Sequence, residues 1–134
     1  MMKVVLVGSI KGGTGKSVVS ALLARHLTSK GYDVVLIDSD IDSPNLSEII
    51  KVTPSSVEVA HLDFDFFSFG LIAKDKPVSM SSDSYVQIIN DVFAHAKWQV
   101  NIDDAIVVID LPAGASTVFR GILTAFARNI VGFV

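Results

Sequence analysis

A β-branched run, Val4–Val7, leads into the ten residues Gly8–Ser17 (GSIKGGTGKS), and an amphipathic stretch starts where they stop. No other feature restricts the fold as strongly. A strand that turns through a glycine-rich loop straight into a helix surrounds an anion with backbone amides. Gly12, Gly13 and Gly15 have no Cβ, so the backbone can take positive φ and bring N–H groups close to phosphate oxygens. The helix that follows carries roughly half a positive charge at its N-terminus, aimed at the same place. Lys16 adds a full charge for β- and γ-phosphates, and Ser17 offers a hydroxyl to Mg²⁺.

This strand–loop–helix placement is the context expected of a phosphate-binding P-loop. The usual pattern is G-x-x-x-x-G-K-[ST]; here Ile10 stands at its first glycine, and a second lysine, Lys11, lies inside the loop. The nucleotide-binding set is therefore Lys11, Gly12, Gly13, Thr14, Gly15, Lys16, Ser17 and Val18.

The rest of the chain supports an α/β fold. Val34–Ile37, Ile106–Ile109 and Ile130–Val134 are further unbroken apolar runs, the signature of strands buried on both faces of a mostly parallel sheet. Helical periodicity joins them. Val18, Val19, Leu22, Leu23 and Leu27 define one face of a helix from about Ser17 to Ser29, ended by Gly31. Tyr85, Ile88, Ile89, Val92, Phe93 and Ala96 define a second, and Val118, Ile122, Leu123 and Phe126 a third. Alternation of this kind predicts a doubly wound sheet with helices on both faces. Val57–Ala73 reads as one or two more strands with a turn near Asp65, its phenylalanines Phe64, Phe66, Phe67 and Phe69 filling core, with a partner surface as the alternative. At 134 residues the chain is expected to be a single nucleotide-binding domain spanning 1–134. It stops on an apolar strand with no polar tail, which predicts a domain cut short at its C-terminal end.

Composition removes several function classes. A net charge of −3 without a basic run gives no signal for nucleic acid or an anionic membrane. The absence of cysteine excludes disulfides, thiolate metal sites and thiol nucleophiles from these residues. No signal peptide or membrane span is visible, so a soluble, cytoplasmic protein is expected.

A P-loop that binds Mg²⁺ needs carboxylates beyond neighbouring strand ends. The second strand runs into Asp38-Ser39-Asp40, and Ile106–Ile109 runs into Asp110-Leu111-Pro112-Ala113-Gly114. In a parallel sheet both groups emerge at the carboxyl edge, beside the phosphate loop. Asp38 and Asp110 are expected to hold Mg²⁺ through water, together with Ser17. Asp40 is expected to orient or deprotonate the attacking water, with Asp42 as its competitor. Gly114 leaves the Pro112–Gly114 loop free to sense the γ-phosphate.

Together these residues resemble the deviant Walker A ATPases, the MinD/ParA/Mrp group. Their K-G-G-x-G-K-[ST] signature matches Lys11–Ser17, their D-x-D matches Asp38–Asp40, and their D-x-P-x-G matches Asp110–Gly114. Within the group the chain is most similar to the Mrp/ApbC type, through DSDIDSPNL (Asp38–Leu46), the run Gly70–Ile72 and Trp98. The resemblance implies ATP and ADP as ligands, Mg²⁺ as cofactor, and a homodimer formed through the nucleotide face. Lys11 would then reach the phosphates of the other subunit as a charge clamp, making Lys11, Lys16 and Asp40 the catalytic set. It further implies a nucleotide-switched cycle that positions or loads a protein partner or cargo. Mrp-type carriers bridge an iron–sulfur cluster with a C-x-x-C pair, which these residues lack, so cluster carriage is not read from them.

Two other classes compete with the ATPase reading: a small-molecule ligase or kinase of the same superfamily, and a nucleotide-binding module without turnover. No N-K-x-D motif points to GTP. His26 reads as a flank residue beside the apolar stripe of the first helix, and His61 and His95 are not spaced with other metal ligands. Trp98 reads as a core anchor, and Arg120 and Arg128 are expected on the solvent face of the third helix.

Overall fold

A computed structural model describes residues 1–8, 16–39, 57–61, 67–72, 86–87, 101–111 and 116–134. Strand β1 (Lys3–Val7) is followed by helix α1 (Lys16–Ser29) and strand β2 (Val34–Asp38). Strands β3 (Val57–His61), β4 (Phe67–Ile72) and β5 (Ile106–Asp110) come next, then helix α2 (Ser116–Phe126) and strand β6 (Ile130–Phe133). Among the described residues the strands form one sheet in the order β3-β4-β2-β5-β1-β6. All neighbours are parallel except β3, which pairs antiparallel with β4 at one edge. The α/β, mostly parallel architecture is the expected one. Val57–Ala73 supplies two strands, whereas the second helical stretch lies, apart from Val86 and Gln87, outside the described residues.

The two sheet faces pack against different helices. Val4, Leu6, Val35, Ile37, Val107 and Ile109 join Ile122 and Phe126 of α2 in one buried cluster. Burying a side chain such as Ile122 or Phe126 contributes about 1.5–3 kcal/mol. The third helix buries less of its apolar content than the periodicity implied. Leu123 is partly open, while Phe119 and Ala125 pack beside the cluster instead.

The opposite face belongs to α1, and here the expected stripe is overturned. Val18, Val19 and Leu22 are exposed, and Leu23 and Leu27 are only partly covered. The buried positions are Ser20, Ala21 and Ala24, spaced to lie side by side on the helix. Small side chains let a helix backbone approach its neighbour closely, so the buried face is set by size as well as hydropathy.

Helix α1 ends as its glycine predicts. Gly31 has φ +92°, its N–H donates to the Thr28 carbonyl at 3.0 Å, and the Tyr32 N–H donates to the Leu27 carbonyl at 3.2 Å. These two bonds form a Schellman cap. A Cβ at Gly31 would meet nothing within 4 Å, so any penalty there is purely conformational. Gly31→Ala is expected to lower stability by about 1 kcal/mol and Gly31→Asn by less, because Asn tolerates the left-handed region. Urea midpoints at unchanged m-value test this.

Candidate functional site

The site begins with three strand ends held at one level. Asp110 of β5 is the register partner of Val7 on one side and of Asp38 on the other. Register partners in a parallel sheet point to the same face, so Val7, Asp38 and Asp110 share one, the face covered by α1. Val7 is the last residue of β1 before the glycine-rich loop, and Lys16 is the first residue of α1 after it. The loop therefore leaves the fold next to Asp110, with Asp38 one strand further, and the chain re-enters at the first turn of α1.

Both carboxylates are fully buried. A buried ionised group is costly unless hydrogen bonds replace its water. Ser20 of α1 donates its hydroxyl to Asp110 Oδ1 at 2.9 Å. Ser39 grips the main chain of the same residue, donating to the Asp110 carbonyl from its hydroxyl at 2.8 Å and from its N–H at 3.0 Å. The Leu111 N–H donates to the Val7 carbonyl at 2.8 Å, extending the ladder one residue past the strands. Asp110 is thus tied to α1 through its side chain and to the neighbouring strand ends through its backbone and that of Leu111.

Gly8 opens the loop under a packing constraint. A Cβ there would lie 3.2 Å from Leu111 Cδ1 and 3.3 Å from Phe133 Cζ, and the Gly8 N–H donates to the Val134 carbonyl at 3.0 Å. The bare backbone lets the ends of β5 and β6 close against the point where the loop departs.

Of the residues singled out from the sequence, Asp38 and Asp110 are brought together. Lys16 and Ser17 open α1, and Val18 follows with an exposed side chain. Lys11, Gly12, Gly13, Thr14, Gly15, Asp40, Asp42, Pro112 and Gly114 lie outside the described residues. His26 and Arg120 are exposed, and so is Arg128, which lies in the turn past the end of α2 at Phe126 and not on the third helix as expected. Among the described residues no group of three or more His, Cys, Asp or Glu side chains is placed to hold a metal. Two carboxylates beside a phosphate loop nevertheless fit Mg²⁺, which is commonly held by one or two carboxylates, substrate phosphate and water. Sequence reasoning passed over Ser20 and Ser39. Ser39 could have been found, as the residue between two acidic candidates; Ser20 gives no signal of its own within a helix.

The family model described as ParA, NUBPL iron-transfer P-loop NTPase, matches residues 1–131. The chain belongs to this family. Among curated relatives of this P-loop NTPase, the iron-sulfur cluster carrier protein of Rickettsia typhi is 30% identical over 129 residues, covering 90% of the chain and 40% of the relative. The protein of the same name from Clostridium perfringens is 26% identical, covering 87% and 46%. The chain thus spans less than half of these relatives' length. Among solved structures, the cell division ATPase MinD of Pyrococcus furiosus superposes with a TM-score of 0.70 at 21% identity, covering 94% of the chain and 57% of its own. The septum site-determining protein MinD of Pyrococcus horikoshii, complexed with Mg-ADP, gives 0.65 at 20% identity, covering 93% and 54%. These two likenesses establish the fold of the P-loop NTPase, in agreement with the resemblance read from its motifs. No helix among the described residues is long and apolar enough to cross a membrane.

The double grip of Ser39 has a measurable consequence. Ser39→Ala removes the hydroxyl bond and leaves the N–H bond to the same carbonyl, so the expected cost is about 1 kcal/mol. Equilibrium urea denaturation should show the lower midpoint.

Proposed function

We propose that the chain binds Mg-ATP on the loop Lys11–Ser17 and hydrolyses it within a nucleotide-switched homodimer. The observation that supports this most directly is the placement of Asp38 and Asp110. Two fully buried carboxylates stand side by side in register, Asp110 on the strand next to the exit of the phosphate loop and Asp38 one strand further. A structural role alone does not require a pair of charges to be buried at that level, whereas a cation shared with bound phosphates does.

Each residue then has a task. Amides of Gly12–Ser17 and the start of α1 bind the phosphates, and Lys16 neutralises the β- and γ-oxygens. Ser17, Asp38 and Asp110 would hold Mg²⁺, the last two through water; the ion supplies charge neutralisation on the phosphate oxygens. Asp40 orients the attacking water and takes its proton as the bond to the γ-phosphorus forms and the bond to ADP breaks. Lys11 of one subunit stabilises the transferring phosphoryl group held by the other, so turnover follows dimerisation. The Pro112–Gly114 segment, which starts two residues after Asp110, registers the loss of the γ-phosphate.

The switch would serve to load or position a protein partner. The Rickettsia and Clostridium relatives carry the name iron-sulfur cluster carrier protein. These 134 residues contain no cysteine, so any thiolates for a cluster would be supplied from outside them.

Thermal unfolding with and without Mg-ATP tests the reading. At about a hundred times the dissociation constant, ligand should stabilise the fold by roughly 2.7 kcal/mol. That corresponds to a rise in Tm on the order of 10 °C. Lys16→Ala should abolish the rise. An equal rise in both proteins would place the nucleotide elsewhere, and turnover only on adding a small carboxylic acid would favour a ligase or kinase.

A further inference from the structure

Ser20 is completely buried on the face of α1 that meets the sheet, three residues after Ser17. A hydroxyl inside a helix commonly donates to the carbonyl four residues earlier. Two helical threonines here do so: Thr28 Oγ1 donates to the Ala24 carbonyl at 2.8 Å, and Thr124 Oγ1 to the Arg120 carbonyl at 2.9 Å. Ser20 donates across the layer boundary, to a carboxylate 90 residues further along the chain.

The chemistry of a carboxylate gives that bond a purpose. Rotation about the Cβ–Cγ bond of Asp is broad and only weakly staggered, so covalent structure alone does not aim its oxygens. Ser39 fixes the Asp110 main chain through two bonds to the carbonyl, and Ser20 fixes the side chain at Oδ1. An ionised carboxylate has about four acceptor positions, so a bond from one hydroxyl leaves it able to accept others. The helix that supplies Ser20 also begins with Lys16 and Ser17. Residues three apart are surface neighbours on a helix, so one rigid element carries both the end of the phosphate loop and the grip on Asp110.

We propose that Ser20 is a positioning residue for Asp110, aiming its carboxylate for the cation that accompanies the nucleotide phosphates. The proposal rests on the nucleotide-site reading above. The role assigned to Ser20 is exerted through Asp110, as hydrogen-bonding partners of ligating carboxylates act elsewhere.

Mn²⁺ titration followed by electron paramagnetic resonance, with ADP present, reads the effect without turnover. Ser20→Ala is expected to weaken Mn²⁺ about tenfold, the lower end for loss of such a partner. ADP affinity in EDTA should change by less than about twofold, since the metal-free complex does not use the carboxylate. Asp110→Asn should weaken Mn²⁺ at least as much. The double variant should be no weaker than Asp110→Asn alone, because both changes remove the same interaction. Thermal unfolding without ligand checks that each variant is folded. If Ser20→Ala is not, Ser20→Cys keeps the volume with a much weaker donor and is expected to weaken Mn²⁺ in the same direction. Unchanged Mn²⁺ affinity in the folded Ser20 variant, with Asp110→Asn weakened, would overturn the positioning role and leave the site standing. Unchanged affinity in Asp110→Asn would overturn the site itself and the proposal with it.

Discussion

The parallel register that sets Val7, Asp38 and Asp110 at one level is the constraint on which the candidate site depends. Side chains alternate between faces along a strand, so a slip of one residue in β5 would turn Asp110 to the other side of the sheet. Among the described residues, that side holds the apolar cluster that includes Ile122 and Phe126. The runs Val34–Ile37 and Ile106–Ile109 are apolar on both faces, so hydropathy alone discriminates weakly between registers. The polar strand ends add the discrimination: one register gives Asp110 a hydrogen bond, and its neighbour strands the charge in hydrocarbon.

Close packing of α1 completes the arrangement. Ser20, Ala21 and Ala24 bring the helix onto the sheet with little side-chain bulk between. The start of α1 therefore stands beside the strand ends from which the loop departs, and its partial positive charge falls near two buried carboxylates. At the far end, the Schellman cap at Gly31 and Tyr32 turns the chain directly into β2. Helix α1 and strand β2 thus follow one another with only a short turn between, and β2 ends at the site with Asp38.

The sequence made some of this legible and hid the rest for physical reasons. Strands buried on both faces announce themselves as β-branched runs, so β1, β2 and β5 were found to within a residue or two. The similar run at Ile130–Val134 is a strand, but one at the end of the sheet order with Val131 and Phe133 exposed. Asp38 and Asp110 followed from where those runs stop, because a parallel sheet gathers its strand ends at one edge. The antiparallel pairing of β3 was not legible, since local composition carries no information about direction. The buried face of α1 was misread because hydropathy favours Val18, Val19 and Leu22, whereas contact distance favours Ser20, Ala21 and Ala24. Ser20 escaped for the same reason: a serine in a helix has no periodic signature, and its partner lies far along the chain.

A crystal structure with Mg-ADP would test the site as a whole. The β-phosphate should lie within about 3.2 Å of amide nitrogens between Gly12 and Ser17. The cation should sit on the α1 side of the sheet, bridged by water to the Asp38 and Asp110 carboxylates, with the Ser20 bond intact. Nucleotide bound away from the loop, or a cation remote from both carboxylates, would contradict the reading of these strand ends as a nucleotide site.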